Sequence, residues 1–427
     1  MKILIISYHF FPENNPRAFR WYEISKQFVA KGIEVDVITN RNDNSSFEIK
    51  EGIRIFRVGN SIANYYKSKD NNFKKNGSKN LLNNIKTSIY SLLKIIHKYT
   101  WMKLYWPDFA FSWYFHGIRK SNSLMINRKY DKIITVSLPF TCHLIGLRLK
   151  QKYPDLFWLA DSGDPFSFSD LASINNTSLY KNLNYKFENK VFQSSEKLTF
   201  TTQATVNRYS KLFPASLSKF VVIPPLVKLY KPKLKTINIF NKTKNDTIIL
   251  SYFGVLYKDI RNPNGLLFML DSLINSQNKL NFRIELHFFG DHTPCLDTFQ
   301  EYSFLSKNIT FHGSVSKEIA LMSMHQSDIL INIGNLTNYQ LPSKIVEYVA
   351  VSKPIINIIS IFDDSSKIYL NQFPFVLNYK INDDIAVVLN FIKNLKFIKI
   401  EKPLVQSFVL KHHPDMISNH YLKALMN

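Results

Sequence analysis

The sequence predicts an α/β protein of two doubly wound domains, and three observations carry that expectation. The chain opens as strand, helix, strand; a second opening of the same kind starts at Thr247; a lysine-rich stretch with few apolar anchors separates the two. Short apolar runs alternating with helical periodicity are the pattern of βαβ units around a parallel sheet.

The elements follow in order. Lys2–Ser7 reads as the first buried strand, 20–31 as an amphipathic helix, and 32–39 as a turn and strand. Thr247–Phe253 reads as strand, 254–264 as loop, 265–275 as helix and 282–289 as strand. Near the end, 328–333 is a strand, Pro342 opens a helix, and Ile355–Ile359 is a second buried strand. Ile223-Pro224-Pro225 and the lysines after it mark a boundary. The expected division is a first domain over 1–225, a linker over 226–246, a second domain over 247–402 and a closing helical segment over 403–427.

Composition excludes several classes. With 427 residues, 45% of them hydrophobic, the chain can bury two substantial cores. The apolar start fits a first buried strand better than a signal peptide, and no window approaches the roughly 18 apolar residues of a spanning helix. Cys142 and Cys295 lie far apart and fit neither a disulfide framework nor a metal-ligand spacing. The expectation is a cytoplasmic protein with reduced thiols.

The formal charge is +23, and it clusters: residues 61–130 hold 13 lysines and arginines against two acids, Asp70 and Asp108. Within that stretch, 66–80 is polar and lysine-rich. Leu81, Leu82, Ile85, Ile89, Leu92, Leu93 and Ile96 then fall on one helical face, with Lys86, Lys94 and Lys98 off it. Trp101, Tyr105, Trp106 and Trp113 follow. Two readings stay open: a helix lying on an anionic membrane surface, or a core-facing helix with a solvated basic side. No nucleic-acid motif accompanies the charge, so no nucleic-acid partner is expected.

The stretch from Leu341 to Pro354 carries the chemistry. Backbone N–H groups at a helix start favour an anion, Lys344 adds a full positive charge, and Glu347 one turn on can accept hydrogen bonds from sugar hydroxyls. In an open parallel sheet such a loop lies at the carboxyl ends of the strands, where ligands bind. Only 12 glycines are present, and there is no GxGxxG or P-loop. Phosphates would therefore meet side-chain cations and helix ends. Taken alone, the same residues also describe a well-capped helix.

An ordered series of motifs resembles the GT-B-fold glycosyltransferases, and among them glycosyltransferase family 4, over nearly the full length. It comprises Ile5-Ile6-Ser7-Tyr8-His9-Phe10-Phe11-Pro12 with Arg17, Arg20 and Lys31-Gly32-Ile33-Glu34-Val35, then Trp106-Pro107-Asp108 and Asp161-Ser162-Gly163-Asp164-Pro165-Phe166. Ile223-Pro224, Gly254-Val255-Leu256-Tyr257 with Arg261 and Pro263, Phe311-His312-Gly313 and the 342–354 stretch complete it.

The resemblance implies two Rossmann-like doubly wound domains facing a central cleft, and transfer of a sugar from a nucleotide-sugar with retention of configuration. No bound metal or other cofactor is implied, and the sequence has no Asp-x-Asp pair to hold one. Gly254, Lys258, Arg261, Pro342, Ser343, Lys344 and Glu347 then form the donor site. Arg261 and Lys344, with Lys258 as an alternative, stabilise the departing diphosphate.

On the acceptor side, Arg17 and Arg20 are placed to meet a phosphate of a lipid-diphosphate acceptor, or to form surface ion pairs. Asp164 orients the acceptor hydroxyl or caps a helix, and His143 is catalytic or structural. The family usually carries a second acidic residue where this chain has Tyr339. The implied function is extension of a glycan or lipid-linked acceptor in bacterial capsule, O-antigen or lipopolysaccharide synthesis, peripheral on the inner membrane face. A catalytically silent GT-B scaffold and a nucleotide-sugar epimerase are the alternatives.

Overall fold

A computed structural model describes residues 1–13, 15–41, 45–59, 104–168, 174–228, 238–240, 247–276, 282–342, 344–398 and 400–426. The chain divides into two compact units, Met1–Pro224 with Ile417–Asn427, and Pro225–Met416. The expected loop at 66–80, the basic helix at 81–98, most of the expected linker, and Ser343 lie outside the described residues.

The first unit runs β1 (Lys2–Ser7), α1 (Pro16–Ala30), β2 (Glu34–Asn40), β3 (Phe47–Lys50), β4 (Ile53–Val58), α2 (Trp113–Asn127), β5 (Lys132–Ser137), α3 (Thr141–Lys152), β6 (Phe157–Ser162), α4 (Thr177–Ser194), β7 (Lys197–Phe200), α5 (Gln203–Leu212) and β8 (Phe220–Val222). Its sheet has the order β3-β4-β2-β1-β5-β6-β7-β8 and is parallel throughout except at the β3–β4 hairpin. Such strands are covered on both faces and read as unbroken apolar runs, as Ile3 to Ile6 does. Helix α1 begins a turn earlier than its apolar periodicity suggests. Asn15 caps it, accepting from the Arg17 N–H at 2.8 Å, and Pro16 occupies the first turn.

The second unit runs β9 (Thr247–Phe253), α6 (Asn264–Asn275), β10 (Arg283–Phe289), α7 (Leu296–Glu301), β11 (Ile309–Gly313), α8 (Lys317–Gln326), β12 (Ile329–Ile333), α9 (Lys344–Val351), β13 (Ile355–Ile359), α10 (Ser365–Leu370), β14 (Val376–Lys380), α11 (Ile385–Lys393) and α12 (Lys402–His412). Its sheet is wholly parallel, in the order β11-β10-β9-β12-β13-β14. Apolar clusters cover its two faces. One is built on Ile249, Phe253, Ile345, Val349, Val405 and Phe408, the other on Leu250, Leu266, Leu270, Leu286 and Ile331.

Residues 403–427 do not form one closing element. They make α12, whose Val405 and Phe408 belong to the second core, and α13 (Pro414–Met426), whose residues from Ile417 onward belong to the first unit. Tyr421 is buried there, its hydroxyl donating to Asp161 Oδ1 at 2.7 Å.

Register decides how buried polar groups in the second sheet are satisfied. Asn332 pairs across from Asn357, and Asn357 from Asn378. Their amides form a ladder: Asn332 Nδ2 donates to Asn357 Oδ1 at 2.6 Å, and Asn357 Nδ2 to Asn378 Oδ1 at 2.8 Å. Asn357→Ala strands a donor and an acceptor at once and is expected to cost about 2–3 kcal/mol. Urea unfolding measures this; a change within 0.5 kcal/mol, about the size of an ordinary surface effect, would show the ladder to be inessential.

Candidate functional site

Topology selects the edge at which a ligand can sit. In the second unit the chain lays β9, β10 and β11 outward, then returns to place β12 beside β9. The loops after β9 and β12 leave a reversing strand order on opposite sides, which opens a crevice between them. Those loops hold Gly254 to Pro263 and Gly334 to Pro342.

Glycines bare this edge. Gly254, Gly290, Gly313 and Gly334, four of the 12 in the chain, stand at the carboxyl ends of β9 to β12. Gly254 N–H donates to Phe289 O at 2.9 Å, Gly290 N–H to Gly313 O at 2.8 Å, and Gly334 N–H to Ile358 O at 2.9 Å, so the loops continue the hydrogen-bond ladder past the strands. Gly290 has φ +141°, and a Cβ there would sit 2.0 Å from Gly254 O. Only glycine permits that approach.

Arg261 lies over this floor. Its Nη1 is 3.5 Å from where a Cβ on Gly254 would be, and its Nε and Nη2 both donate to Asn335 Oδ1, at 3.1 and 2.9 Å. Asn335 is buried and its own Nδ2 donates to Gln340 O at 3.2 Å; Leu336 N–H donates to Ile260 O at 2.8 Å. The two loops are thus tied together by neutral groups. Arg17, Arg54 and Arg57 are each bonded to a carboxylate, whereas among the described residues Arg261 has none. A half-buried cation held by an amide keeps its full charge for an incoming anion.

Helix α9 begins at Lys344, so Pro342 stands just before it rather than opening it, and Ile345 N–H donates to Pro342 O at 3.2 Å. Lys344 Nζ and Glu347 Oε2 are 2.6 Å apart, both side chains about 30% exposed. The helix is pinned to the site by Tyr348, whose hydroxyl accepts from Phe253 N–H at 2.9 Å. Tyr339 is buried. Lys258 does not join this group: it is exposed and paired with Asp297.

In the first unit the reversal falls between β1 and β5. Arg17 crosses Gly163, where a Cβ would come within 1.8 Å of Nη1, and donates to Asp164 Oδ2 at 2.6 Å. Asp164 therefore accepts from an arginine of the first helix. Arg20 is no surface cation. It is buried and donates to Pro224 O at 2.8 Å, Ile223 O at 3.2 Å and the Tyr421 hydroxyl at 3.1 Å, which commits it to holding the chain.

His143 is also in the core. Its ring nitrogens bond to Thr135 Oγ1 at 2.7 Å and Ser162 Oγ at 3.1 Å, and burial pushes its pKa from 6.5 down to about 3, Asp161 opposing and Arg17 adding to the shift. Trp113 is likewise buried, donating to Val58 O at 3.0 Å, and Trp106 Nε1 donates to Asn184.

Asn335 and Gly290 escaped the sequence reading, and Asp161 entered it as the first residue of a motif, without a role of its own. Asp161 is buried and accepts from Trp21 Nε1 at 2.9 Å, Thr199 Oγ1 at 2.7 Å and Tyr421. For the glycines a signal existed: Phe-Phe-Gly closes β10, and Tyr-Phe-Gly closes β9.

The whole chain is similar in structure to sucrose-phosphate synthase from Thermosynechococcus elongatus, with TM-score 0.61 and 11% identity, covering 100% of this chain and 96% of that one. It is similar to an alpha,alpha-trehalose 6-phosphate synthase from Burkholderia multivorans, with TM-score 0.65 and 9% identity, covering 100% and 98%. A glycosyltransferase from Rickettsia africae gives TM-score 0.56 and 13% identity, covering 99% and 97%. The fold is GT-B. No family model matches the chain, and no curated protein matches it in sequence.

Two outcomes follow from this geometry. Gly290→Ala forces apart two backbones and a disfavoured φ, and should cost at least about 2 kcal/mol, read as a lowered urea midpoint. His143 is neutral when folded but titrates near 6.5 when unfolded. Its stabilisation is therefore full above pH 6.5 and is lost as pH falls towards 3. The unfolding free energy should carry a component of up to about 1.4 kcal/mol per pH unit in that window. In His143→Gln that component should be absent; an unchanged pH slope would contradict the assignment.

Proposed function

We propose that this chain is a retaining glycosyltransferase that moves a sugar from a nucleotide-diphosphate-sugar to a glycan or lipid-linked acceptor. The observation that carries the reading is Arg261: a cation without a carboxylate partner among the described residues, lying on a glycine floor at the topological switch of the second sheet. As the bond from the sugar to the diphosphate breaks, negative charge grows on the departing oxygen, and a preorganised guanidinium stabilises that state more than the bound substrate. Lys344 is the second cation. Its ion pair with Glu347 opens when the donor binds, giving the ammonium to phosphate and the carboxylate to the ribose hydroxyls. In a front-face displacement the leaving phosphate takes the acceptor proton, so no protein base is required. No metal or cofactor enters this reading, because side-chain cations supply the charge.

Arg17 with Asp164 borders the acceptor in this reading; Arg20 and His143 hold the first unit together. The clustered basic charge supports work at an anionic membrane surface on the cytoplasmic side, on acceptors of capsule, O-antigen or lipopolysaccharide type. No helix among the described residues is long and apolar enough to cross a membrane. Tyr339, buried where the family this chain resembles usually carries an acid, favours one competing reading, a catalytically silent scaffold. Hydrolysis or transfer of a nucleotide-sugar by the purified protein excludes it.

A thermal-shift panel of nucleotide-sugars identifies the donor, since a ligand of the native state raises apparent stability. With that donor, Arg261→Ala should lower kcat/KM by about 10²–10³-fold while the protein stays folded. Glu347→Gln should weaken donor binding. A folded Arg261→Ala protein with wild-type turnover would refute the assignment.

A further inference from the structure

A second concentration of cations lies outside the donor site, in the first unit. Arg41 directly follows β2, Val58 and Gly59 end β4, and His116, Arg119, Lys120 and Ser123 come from α2; together with Arg57 they line a cavity of about 370 Å³. Positions 116, 119, 120 and 123 are spaced i, i+3, i+4 and i+7, which puts all four on one helical face. Among the described residues, no acid lines the cavity.

The cavity is built, not incidental. Arg57 is its fixed cation: the side chain is 1% exposed, and Nη2 donates to Phe11 O at 2.9 Å and to Glu48 Oε1 at 2.7 Å. Through Phe11 it touches the loop that follows β1, so the cavity opens on the carboxyl edge of this sheet, the edge where ligands of such folds bind. Gly59 has φ +73°, and a Cβ there would lie 2.9 Å from His116 Cδ2, so glycine lets α2 close over the strand end. Lys120 Nζ stands 4.4 Å from the centre of the Phe56 ring, which positions its head. Among the described residues neither Arg119 nor Lys120 has a carboxylate partner. Glu48 answers the charge of Arg57, and the neighbouring charges of Arg119 and Lys120 repel each other until an anion neutralises them.

We infer that this cavity binds a phosphate-bearing group of the acceptor, an inference that rests on the glycosyl-transfer reading. Among the described residues of the first unit, Arg17 and Arg20 are bonded within the protein, whereas Arg119 and Lys120 of this cluster have no carboxylate partner. The cavity has room for a diphosphate, and the arginine forks suit its oxygens. The phosphate belongs either to a soluble phosphorylated sugar or to a lipid head group.

The test uses the full chain carrying Arg261→Ala and Lys344→Ala, so that pyrophosphate is not taken up at the donor side. Inorganic pyrophosphate is titrated calorimetrically into this protein and into the same protein with Arg119→Glu and Lys120→Glu. Because Arg119 is exposed, Arg119→Ala alone serves as a second, milder variant, and circular dichroism checks folding. The expected result is pyrophosphate affinity lowered at least tenfold by the double charge reversal and several-fold by Arg119→Ala. Co-sedimentation with phosphatidylcholine vesicles, with and without phosphatidylglycerol, separates the sources. Loss of both pyrophosphate and anionic-vesicle binding assigns the phosphate to a lipid head group; loss of pyrophosphate binding alone assigns it to a soluble group. Unchanged pyrophosphate affinity in the folded variants overturns the inference whatever the vesicles do. Donor binding is read apart from this, by comparing the nucleotide-sugar thermal shift of the wild type with that of Arg261→Ala and Lys344→Ala; an unaltered shift there sinks the donor-site reading and leaves the pyrophosphate result standing.

Discussion

A parallel sheet must be covered on both faces, because its strands are apolar on both and their connections have to cross over them. Most of what is notable in this chain follows from that constraint. Helices on both faces leave only the strand ends open, and a chain that lays strands first one way and then the other leaves a crevice where the direction changes. In the second unit this brings the loop carrying Arg261 against the loop carrying Asn335, and Asn335 in turn holds the guanidinium. The glycines of this edge serve the same end. They let two loops approach to backbone contact and keep the floor clear for the arginine.

The use of charge differs from site to site. Around Asp161 the first unit consumes its polar groups internally: Trp21, Thr199 and Tyr421 satisfy the carboxylate, and Arg20 satisfies carbonyls of the chain. Leaving any of these unpaired in the core would cost on the order of 1–3 kcal/mol, so they are bound tightly to structure. Arg261 is held by a neutral amide, and Arg119 and Lys120 by no carboxylate among the described residues. Charge left uncompensated by the fold is charge available to a ligand.

Legibility followed the same division. Strand β9 and the apolar opening at β1 were readable to the residue, because an unbroken apolar run bounded by polar loops has one physical meaning. Helix α1 was legible in its body but not at its start, where a cap at Asn15 outweighs periodicity. Arg261, Lys344 and Glu347 stood out as charged residues in loops expected at the ligand edge. Arg20 and His143 stood out for the same reason, with a structural role left open for His143; both are bonded within the core, as a charged or titratable side chain near a strand end can be.

By itself the sequence determined the alternation of strands and helices, the two-domain plan and the absence of a glycine-rich phosphate loop, since periodicity and composition are local properties. Tertiary structure alone decided which cations remain uncompensated. That depends on partners far apart in the chain: Asn335 for Arg261, Asp164 for Arg17, Tyr421 for Arg20. It also decided that His116, Arg119 and Lys120 face Arg41 and Arg57 across one cavity, because only folding lays α2 against the ends of β2 and β4.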